Sequence, residues 1–284
     1  INLELKESGW GNLLSMIAHD SIIENMIITK SVKIIGNASY AGGLIGTSYN
    51  TSFDRIATYA TIDTNYEYEG VASGIVNKGS GVKLNECYNY GSITAKKSIV
   101  GGLVGILGNY SNEEGLIQNS YNLGNISSSL IGGGLVGEGE NSVLENTYNI
   151  FSKGLGKNIG NIIGSSSYMG IKNSFYLEDY GNVLIEDVNN STTLVNVMGK
   201  TSDQLKAKNT YLNFDFDDIW EISSNSYPSL RNIRYLYLMD IEVEKEIHLE
   251  VGEKKEIDLS FKPNSASNKK VRYEVENSNL IQLD

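Results

Sequence analysis

The amino-acid sequence predicts an all-β protein whose main part is a right-handed parallel β-helix, a coil of short strands stacked on one another. Three observations lead to this prediction. A glycine-flanked apolar box recurs every 27 to 32 residues, a box containing an aromatic residue follows it in phase, and the 284-residue chain has 30 glycines but only 2 prolines. So many glycines with so few prolines indicate repeated tight corners and not a flexible linker.

The first box is a pair of apolar residues flanked by glycine or asparagine. Its copies are Gly43-Leu44-Ile45-Gly46, Gly74-Ile75-Val76-Asn77, Gly102-Leu103-Val104-Gly105, Gly134-Leu135-Val136-Gly137 and Asn161-Ile162-Ile163-Gly164. The steps between their first apolar residues are 31, 28, 32 and 27, and a degenerate copy, Asn12-Leu13-Leu14-Ser15, lies 31 residues before Leu44. The sequence therefore contains six units.

The second box is a small residue followed by an aromatic one. Its copies are Thr58-Tyr59, Cys87-Tyr88, Ser120-Tyr121, Thr147-Tyr148 and Ser174-Phe175, which follow the first box by 15, 13, 18, 13 and 13 residues. The longest interval contains the polar residues 108–114, which we expect to project from the coil as a loop. Asn119, Asn146 and Asn173 precede the small residue in three copies, and stacked asparagines can hydrogen-bond to one another between coils.

A solenoid explains this pattern because one unit has only short apolar runs and could not bury them alone. We expect Leu44, Ile75, Leu103, Leu135 and Ile162 to form one inward column. Helical repeats of similar length would need apolar residues at i, i+3, i+4 and i+7 together with strong helix formers. These units instead carry Gly, Asn, Ser and Tyr, which favour turns and strands.

Composition narrows the partners that the protein could have. The 34 acidic and 23 basic residues give a net charge of −11, which argues against binding to nucleic acid or to an anionic membrane surface. No apolar run approaches the roughly 20 residues that span a bilayer, so no membrane insertion is expected. The one cysteine cannot form an internal disulfide. Because the chain starts at Ile1 without methionine, we expect it to be a segment of a longer protein, with targeting signals outside it.

The boxes at residues 102–105 and 134–137, each followed by Ser-Tyr-Asn or Thr-Tyr-Asn, closely resemble the GLUG repeat of bacterial surface proteins. That repeat occurs in adhesin-like proteins and in the N-terminal regions of some IgA-specific metalloproteases. The resemblance covers roughly residues 9–180. It implies a repeat domain, which we place at residues 1–182.

Two further segments follow the repeats. Thr201-Ser202-Asp203-Gln204-Leu205, residues 214–220 and Tyr227-Pro228-Ser229-Leu230 resemble the segment that commonly closes such arrays, so residues 183–236 are predicted to cap the open end of the stack. Leu249-Glu250-Val251-Gly252-Glu253 and residues 271–278 are similar to the front half of a group-2 bacterial immunoglobulin-like domain, with Tyr273 where that family often has Trp. Residues 237–284 are therefore predicted to form a partial β-sandwich, and such neighbours imply an extracellular spacer.

Cys87 could serve as a nucleophile, but a thiol needs a base and an orienting group within reach. Its slot in the other copies holds Thr58, Ser120, Thr147 and Ser174, which favours a packed small residue. The two histidines, His19 and His248, lie in different modules and form no zinc motif of the metalloprotease kind. If this segment belongs to a protease, its catalytic domain is expected elsewhere.

Two acidic clusters are candidate sites. Asp215, Asp217 and Asp218 offer oxygen ligands, as a calcium loop does, but they lack the rest of an EF-hand pattern, so a solvated loop is favoured. A second cluster contains Asp63, Glu67 and Glu69, near Tyr66 and Tyr68. Parallel β-helices include polysaccharide-cleaving enzymes, which would place paired carboxylates or a basic residue in a groove, but the sequence alone does not show these groups converging.

The aromatic residues of the second box, Tyr59, Tyr88, Tyr121, Tyr148 and Phe175, could form a stacking surface for sugars. They could equally pack at a corner of the coil against their own copies. Strict repetition favours packing, because packing requires repeated residues and a specific binding site does not.

The sequence thus predicts a non-catalytic adhesin or display module, secreted and held at the bacterial cell surface or cell wall, with a host surface protein or a glycan as partner. No catalytic, cofactor-binding or metal-binding residue is assigned, and no cofactor is expected. Two alternatives stay open. One is a non-catalytic, substrate-positioning N-terminal region of a secreted metalloprotease, and the other is a glycan-cleaving β-helix enzyme.

Overall fold

The repeated boxes form strands that pair in parallel from one coil to the next. The computed structural model describes residues 2–108, 113–150, 158–178, 182, 184–233, 240–243, 248, 250 and 252–262. It divides into two units, Ile1–Ile233 and Arg234–Asp284. In the first unit, three parallel sheets surround an aliphatic interior, which confirms the predicted all-β parallel β-helix.

The strands are numbered in chain order. Sheet A contains β1 (Asn2–Gly11), β4 (Lys33–Gly42), β7 (Thr61–Thr64), β8 (Gly70–Ser73), β12 (Ile93–Ala95), β13 (Ser98–Gly101), β17 (Ile126–Ser128), β18 (Ile131–Gly133) and β21 (Ile159–Gly160). Sheet B contains β2 (Ser15–His19), β5 (Ile45–Tyr49), β9 (Val76–Ser80), β14 (Val104–Leu107), β19 (Val136–Glu140), β22 (Ile163–Ser167) and β24 (Leu184–Asp187). Sheet C contains β3 (Ile22–Ile28), β6 (Ser52–Thr58), β10 (Lys83–Asn85), β11 (Tyr88–Asn89), β15 (Gly115–Gln118), β16 (Tyr121–Asn122), β20 (Ser142–Asn149), β23 (Gly170–Leu177) and β25 (Thr193–Lys200).

The predicted inward column is confirmed. Its members, Leu44, Ile75, Leu103, Leu135 and Ile162, are all buried. The backbone N–H of Ile75 donates to the Leu103 carbonyl at 2.9 Å, and the N–H of Leu103 donates to the Leu135 carbonyl at 2.9 Å. Each coil is therefore held to the next by its backbone at the same positions where its side chains fill the interior.

The two glycines of the first box avoid collisions with different neighbours. A Cβ on Gly102 would collide with the Gly134 carbonyl and with the side chain of Asn122 in the interior. A Cβ on Gly105 would instead collide with Val71, on the previous coil. Both positions of the box thus exclude a side chain because neighbouring atoms already occupy the space.

The predicted asparagine stack lies at a corner of sheet C. Asn119, Asn146 and Asn173 have φ of 47°, 52° and 46°, a left-handed conformation that asparagine tolerates better than most residues. The side-chain amide of Asn173 donates to Asn146 Oδ1 at 3.3 Å. The same register continues in both directions, and this left-handed column consists of Asn25, Arg55, Glu86, Asn119, Asn146, Asn173 and Asn196.

A second polar stack, which the sequence reasoning missed, runs through the interior. The Asn89 amide donates to Asn122 Oδ1 and the Asn122 amide donates to Asn149 Oδ1, both at 2.8 Å. Asn122 also closes its own turn, because its Oδ1 accepts the N–H of Gly124 at 3.1 Å. This inner ladder of Asn89, Asn122 and Asn149 is buried, and it explains why Tyr-Asn pairs recur in phase with the first box.

One predicted alignment is wrong. Tyr88 pairs with Ala57, and Asn89 pairs with Thr58. Tyr59 therefore matches Tyr90 and not Tyr88, so the Thr58-Tyr59 copy is out of register by one residue. The reason is that this coil has the small residue Ala57 at the aromatic position, while Thr58 takes the place of the ladder asparagine.

The parallel stack continues beyond residue 182. Strand β24 pairs with β22, and β25 pairs with β23 as far as Lys200. Further described elements of the first unit are a 3-10 turn at Val188–Asn190, helix α1 (Ser202–Leu205), a 3-10 turn at Lys208–Thr210, and strands β26 (Trp220–Glu221) and β27 (Ser229–Leu230). None of the described helices is long and apolar enough to span a membrane.

In the second unit, β28 (Asp240–Val243) and β29 (Leu259–Lys262) form an antiparallel pair. Residues 271–278, including Tyr273, on which much of the predicted immunoglobulin-like sandwich depends, lie outside the described residues. The sandwich therefore remains a prediction.

Candidate functional site

A column of aromatic rings runs along the outer face of sheet C. It consists of Tyr88, Tyr121, Tyr148 and Phe175, which occupy the same register position in four coils. The Tyr88 and Tyr121 rings are stacked with centroids 4.9 Å apart, and the Tyr121 and Tyr148 rings with centroids 4.8 Å apart. Parallel strands are about 4.8 Å apart, so equal side chains in successive coils meet ring against ring. We call this set the tyrosine column.

The tyrosine column is covered by residues 201–233, a segment that we call the clasp. Trp220, which is fully buried, lies with its ring centroid 5.9 Å from that of Tyr121 and 5.8 Å from that of Tyr148. The ring of Tyr211 contacts Phe175 edge to face at 5.2 Å. Burial raises the pKa of both Tyr121 and Tyr148 well above the ordinary value for tyrosine.

Hydrogen bonds between side chains fix the direction of the clasp. Asn213 donates to Asn173 Oδ1 at 2.6 Å, near the C-terminal end of the stack, and Asn232 donates to Glu86 Oε2 at 2.8 Å, several coils away. Between them, the Tyr148 hydroxyl donates to the Pro228 carbonyl. The clasp thus runs along the side of the coil.

Residues 183–236 are predicted to cap the open end, whereas in the structure Leu184–Asp187 and Thr193–Lys200 extend the stack and the clasp lies along its side. Leu194 and Val195, on the last strand of the stack, remain 45% and 51% exposed. The clasp carries a large aromatic surface, and the tyrosine column offers a matching one on the side of the coil, so apolar burial directs the segment there and not across the end.

The N-terminal end of the aromatic surface extends past the clasp. Tyr59 and Tyr90 stack with their centroids 5.3 Å apart, and Tyr90 is 45% exposed. The Tyr59 and Tyr88 hydroxyls are 2.8 Å apart, within hydrogen-bonding distance. A sugar could not stack on Tyr88, Tyr121, Tyr148 or Phe175 while the clasp is in place, because all of these rings are buried.

Cys87 lies in the interior next to the inner ladder. It is fully buried, and its Sγ donates to the Asn85 carbonyl at 3.2 Å. Burial raises the pKa of the Cys87 thiol to about 12. The thiol is therefore protonated at neutral pH, and the side chain packs where Ser120, Thr147 and Ser174 pack in later coils.

The acidic clusters lie on the surface of the first unit. Asp215 Oδ1 accepts the backbone N–H groups of Asp217 and Asp218, both at 2.9 Å, so this carboxylate closes a turn of the clasp. Asp63, Glu67 and Glu69 are exposed. Among the residues that the structure describes, no group of three His, Cys, Asp or Glu side chains is arranged to hold a metal ion.

The histidines are exposed and lie in separate units. His19 stacks on Tyr49, with the centroids 4.6 Å apart. Of the predicted loop at residues 108–114, the structure describes Gly108, Glu113 and Glu114, and the two glutamates are exposed.

A further loop stands out when coils are compared. Five residues, 65–69, connect β7 to β8, whereas only Lys96 and Lys97 connect β12 to β13 in the next coil. The inserted loop presents Tyr68, 73% exposed, with its ring 5.7 Å from that of Tyr66. The sequence identified these residues as an acidic and aromatic cluster, but their position as an insertion becomes visible only once the strands are aligned.

No protein-family model matches this chain, and no curated protein matches it. Among solved structures, the chain is similar to one from Bacteroides ovatus described as "a putative immunoglobulin A1 protease". The sequence identity is 14% and the TM-score is 0.46, over 77% of this chain and 76% of that one. At this identity and TM-score, neither the fold nor the activity of that protein is transferred to this chain.

Proposed function

We propose that this protein is a non-catalytic display module of the bacterial cell surface, a rigid coil that presents loops to a host protein or a glycan. The observation that carries the proposal is the loop at residues 65–69, inserted between two strands of the stack that two residues join in the next coil. Its neighbours in the coil, β7 and β8, keep the same register as the strands of adjacent coils. The insertion therefore changes the surface and leaves the frame intact.

The chemistry of the loop suits recognition. Glu67, Tyr68 and Glu69 are exposed, and tyrosine combines an apolar ring face with a polar hydroxyl. Many protein scaffolds place their binding residues on connecting loops, which vary while the strands or helices beneath them stay the same. The fully paired strands beneath the loop hold it in a fixed position.

A binding screen of the full chain against glycans and extracellular-matrix proteins tests this proposal. In a variant, residues 65–69 are replaced by Ser-Leu, the two residues that connect β17 to β18. We expect this variant to lose binding by at least tenfold while keeping the far-ultraviolet circular dichroism of the parent. The control is Leu212→Ala, a change at a side chain that is 83% exposed on the clasp.

Two results would contradict the proposal. One is equal binding by the loop variant and the control. The other is release of products when the chain is incubated with acidic polysaccharides, since this would favour a glycan-cleaving enzyme.

A further inference from the structure

We propose that the clasp is a reversible latch, which opens and closes as one unit while the coil beneath it stays paired, and that Glu86 is its anchor. This inference concerns the face of the coil that carries the tyrosine column and does not depend on the loop at residues 65–69.

The clasp is organised by its own hydrogen bonds. Thr201 and Gln204 form a reciprocal capping box around α1. In the part of the chain that the structure describes, strands β26 and β27 pair only with each other. The N–H of Arg231 donates to the Ile219 carbonyl at 2.8 Å. Within the described residues, the backbone-to-backbone hydrogen bonds of 201–233 join clasp to clasp. Its opening therefore breaks no rung of the three sheets.

Contact with the coil is made through side chains, except that the backbone carbonyl of Pro228 accepts a hydrogen bond from the Tyr148 hydroxyl. Rings of the clasp pack on rings of the tyrosine column, and Asn213 and Asn232 bond to side chains near its two ends. Proteins open locally in contiguous cooperative units, with free energies that range up to that of global unfolding. We infer that the clasp is such a unit of lower free energy, because its opening leaves the paired sheets intact. Opening turns a closed face into a strip of stacked aromatic rings.

Glu86 is one of the two members of the left-handed column that are not asparagine. Five of the seven positions of that column are asparagine, whereas Arg55 and Glu86 have longer side chains, at φ 54° and φ 50°. A left-handed backbone costs more for glutamate than for asparagine, and such local strain is typical of positions kept for another purpose. Glu86 is buried, and its carboxylate accepts the hydrogen bond from Asn232 of the clasp. Glu86 thus bonds to the clasp at one end, as Asn173 does at the other, whereas Arg55, the second strained member of the column, bonds within the coil.

The test uses the full chain with Trp10→Phe, so that Trp220, within the interface, is the one remaining tryptophan. Urea unfolding is followed by Trp220 fluorescence and by far-ultraviolet circular dichroism. We expect the fluorescence midpoint to lie at lower urea than the circular-dichroism midpoint. Hydrogen exchange on the unsubstituted chain provides the same comparison, with the Tyr211 and Trp220 amides exchanging together and before those of Leu103 and Leu135.

Substitutions of Glu86 test the anchor. Glu86→Asn should widen the gap between the two midpoints, because it removes the carboxylate but fits the left-handed backbone. Glu86→Gln retains an oxygen acceptor of the same reach and should restore most of the original gap. Arg55→Asn, in the same column but without a bond to the clasp, should leave the gap unchanged. Coincident midpoints in the parent, together with equal exchange rates, would overturn the latch, and an unchanged gap in Glu86→Asn would overturn the anchor.

Discussion

The interior of the coil and the clasp are both apolar, but they are held in different ways. In the interior, Leu103 is buried and bonded through its backbone to coils on both sides. In the clasp, Trp220 is just as buried, yet its strand pairs only within the clasp. Two side chains that are equally buried are therefore not equally coupled to the unfolding of the coil. The interior depends on its neighbouring repeats, whereas the clasp depends on one aromatic surface, and substitutions should separate the two.

The largest effect is expected from Leu103→Asp. This change buries an unpaired carboxylate among aliphatic side chains and should destabilise the coil by about 5 kcal/mol or more. Because repeats depend on their neighbours, the loss of stability should affect the three sheets and also the clasp. Urea unfolding followed by circular dichroism measures it, with Leu212→Asp, on an exposed clasp side chain, as the control. A Leu103→Asp protein that unfolds at the parent's midpoint would mean that this column faces water.

Trp220→Ala should have the next largest effect, confined to the clasp. Removing a buried indole costs about 3–5 kcal/mol, through lost burial and the cavity left behind. We expect near-ultraviolet circular dichroism from the tyrosine column to change while the far-ultraviolet transition keeps its midpoint. If the far-ultraviolet midpoint falls as far as it does for Leu103→Asp, the coil and the clasp unfold as one cooperative unit.

Asn122→Ala probes the polar part of the interior. It removes one of the two acceptors of the Asn89 amide and of the Gly124 N–H, and it takes the donor away from Asn149 Oδ1 and from the Gly124 carbonyl. Losing these buried hydrogen bonds should cost about 2–3 kcal/mol in total. Thr94→Ala, at an exposed position on sheet A, is the matched control. Thermal unfolding measures both variants. A loss no larger than that of the control would mean that the inner ladder contributes nothing to stability.

The same contrast explains what could be predicted from sequence. Leu103 and its copies could be placed in the interior because they recur at the repeat period, so each occupies the same position in its coil. The inner ladder could also have been found, since Tyr-Asn recurs at residues 88–89, 121–122 and 148–149. Periodicity fails where a copy is degenerate, as at Ala57 and Thr58, where the aromatic position and the asparagine position are both substituted.

The clasp could not be placed in this way. Its contacts join residues that occur once, such as Asn232 and Glu86, which are 146 positions apart. No repeat period relates such a pair. The acceptor, Glu86, also occupies a column in which most residues are asparagine, so its sequence position gives no sign of a contact with the clasp. The route of the clasp along the side of the coil therefore depends on surface complementarity, which appears only after the repeats have stacked.

The smallest effect that we predict is a pH dependence located in the interior. The Cys87 thiol has its pKa raised from 9.0 to about 12 by burial, so the folded state favours the neutral form. Its contribution to stability is complete below pH 9 and is lost as the pH rises from there towards 12. At pH 10 the loss should be about 1.4 kcal/mol relative to neutral pH. Cys87→Ser should remove it, because serine already fills this slot at Ser120 and Ser174.

Urea unfolding of the parent and of Cys87→Ser at pH 8, 9 and 10 measures this difference. Tyr121 and Tyr148 are present in both proteins, so their ionisation in the unfolded chain above about pH 10 cancels from the comparison. The difference should appear in the far-ultraviolet transition of the coil, because Cys87 packs with the aliphatic interior and not with the clasp. If the two proteins lose stability in parallel over this range, the thiol is open to solvent and the interior at this coil is less tightly closed than its paired backbone implies.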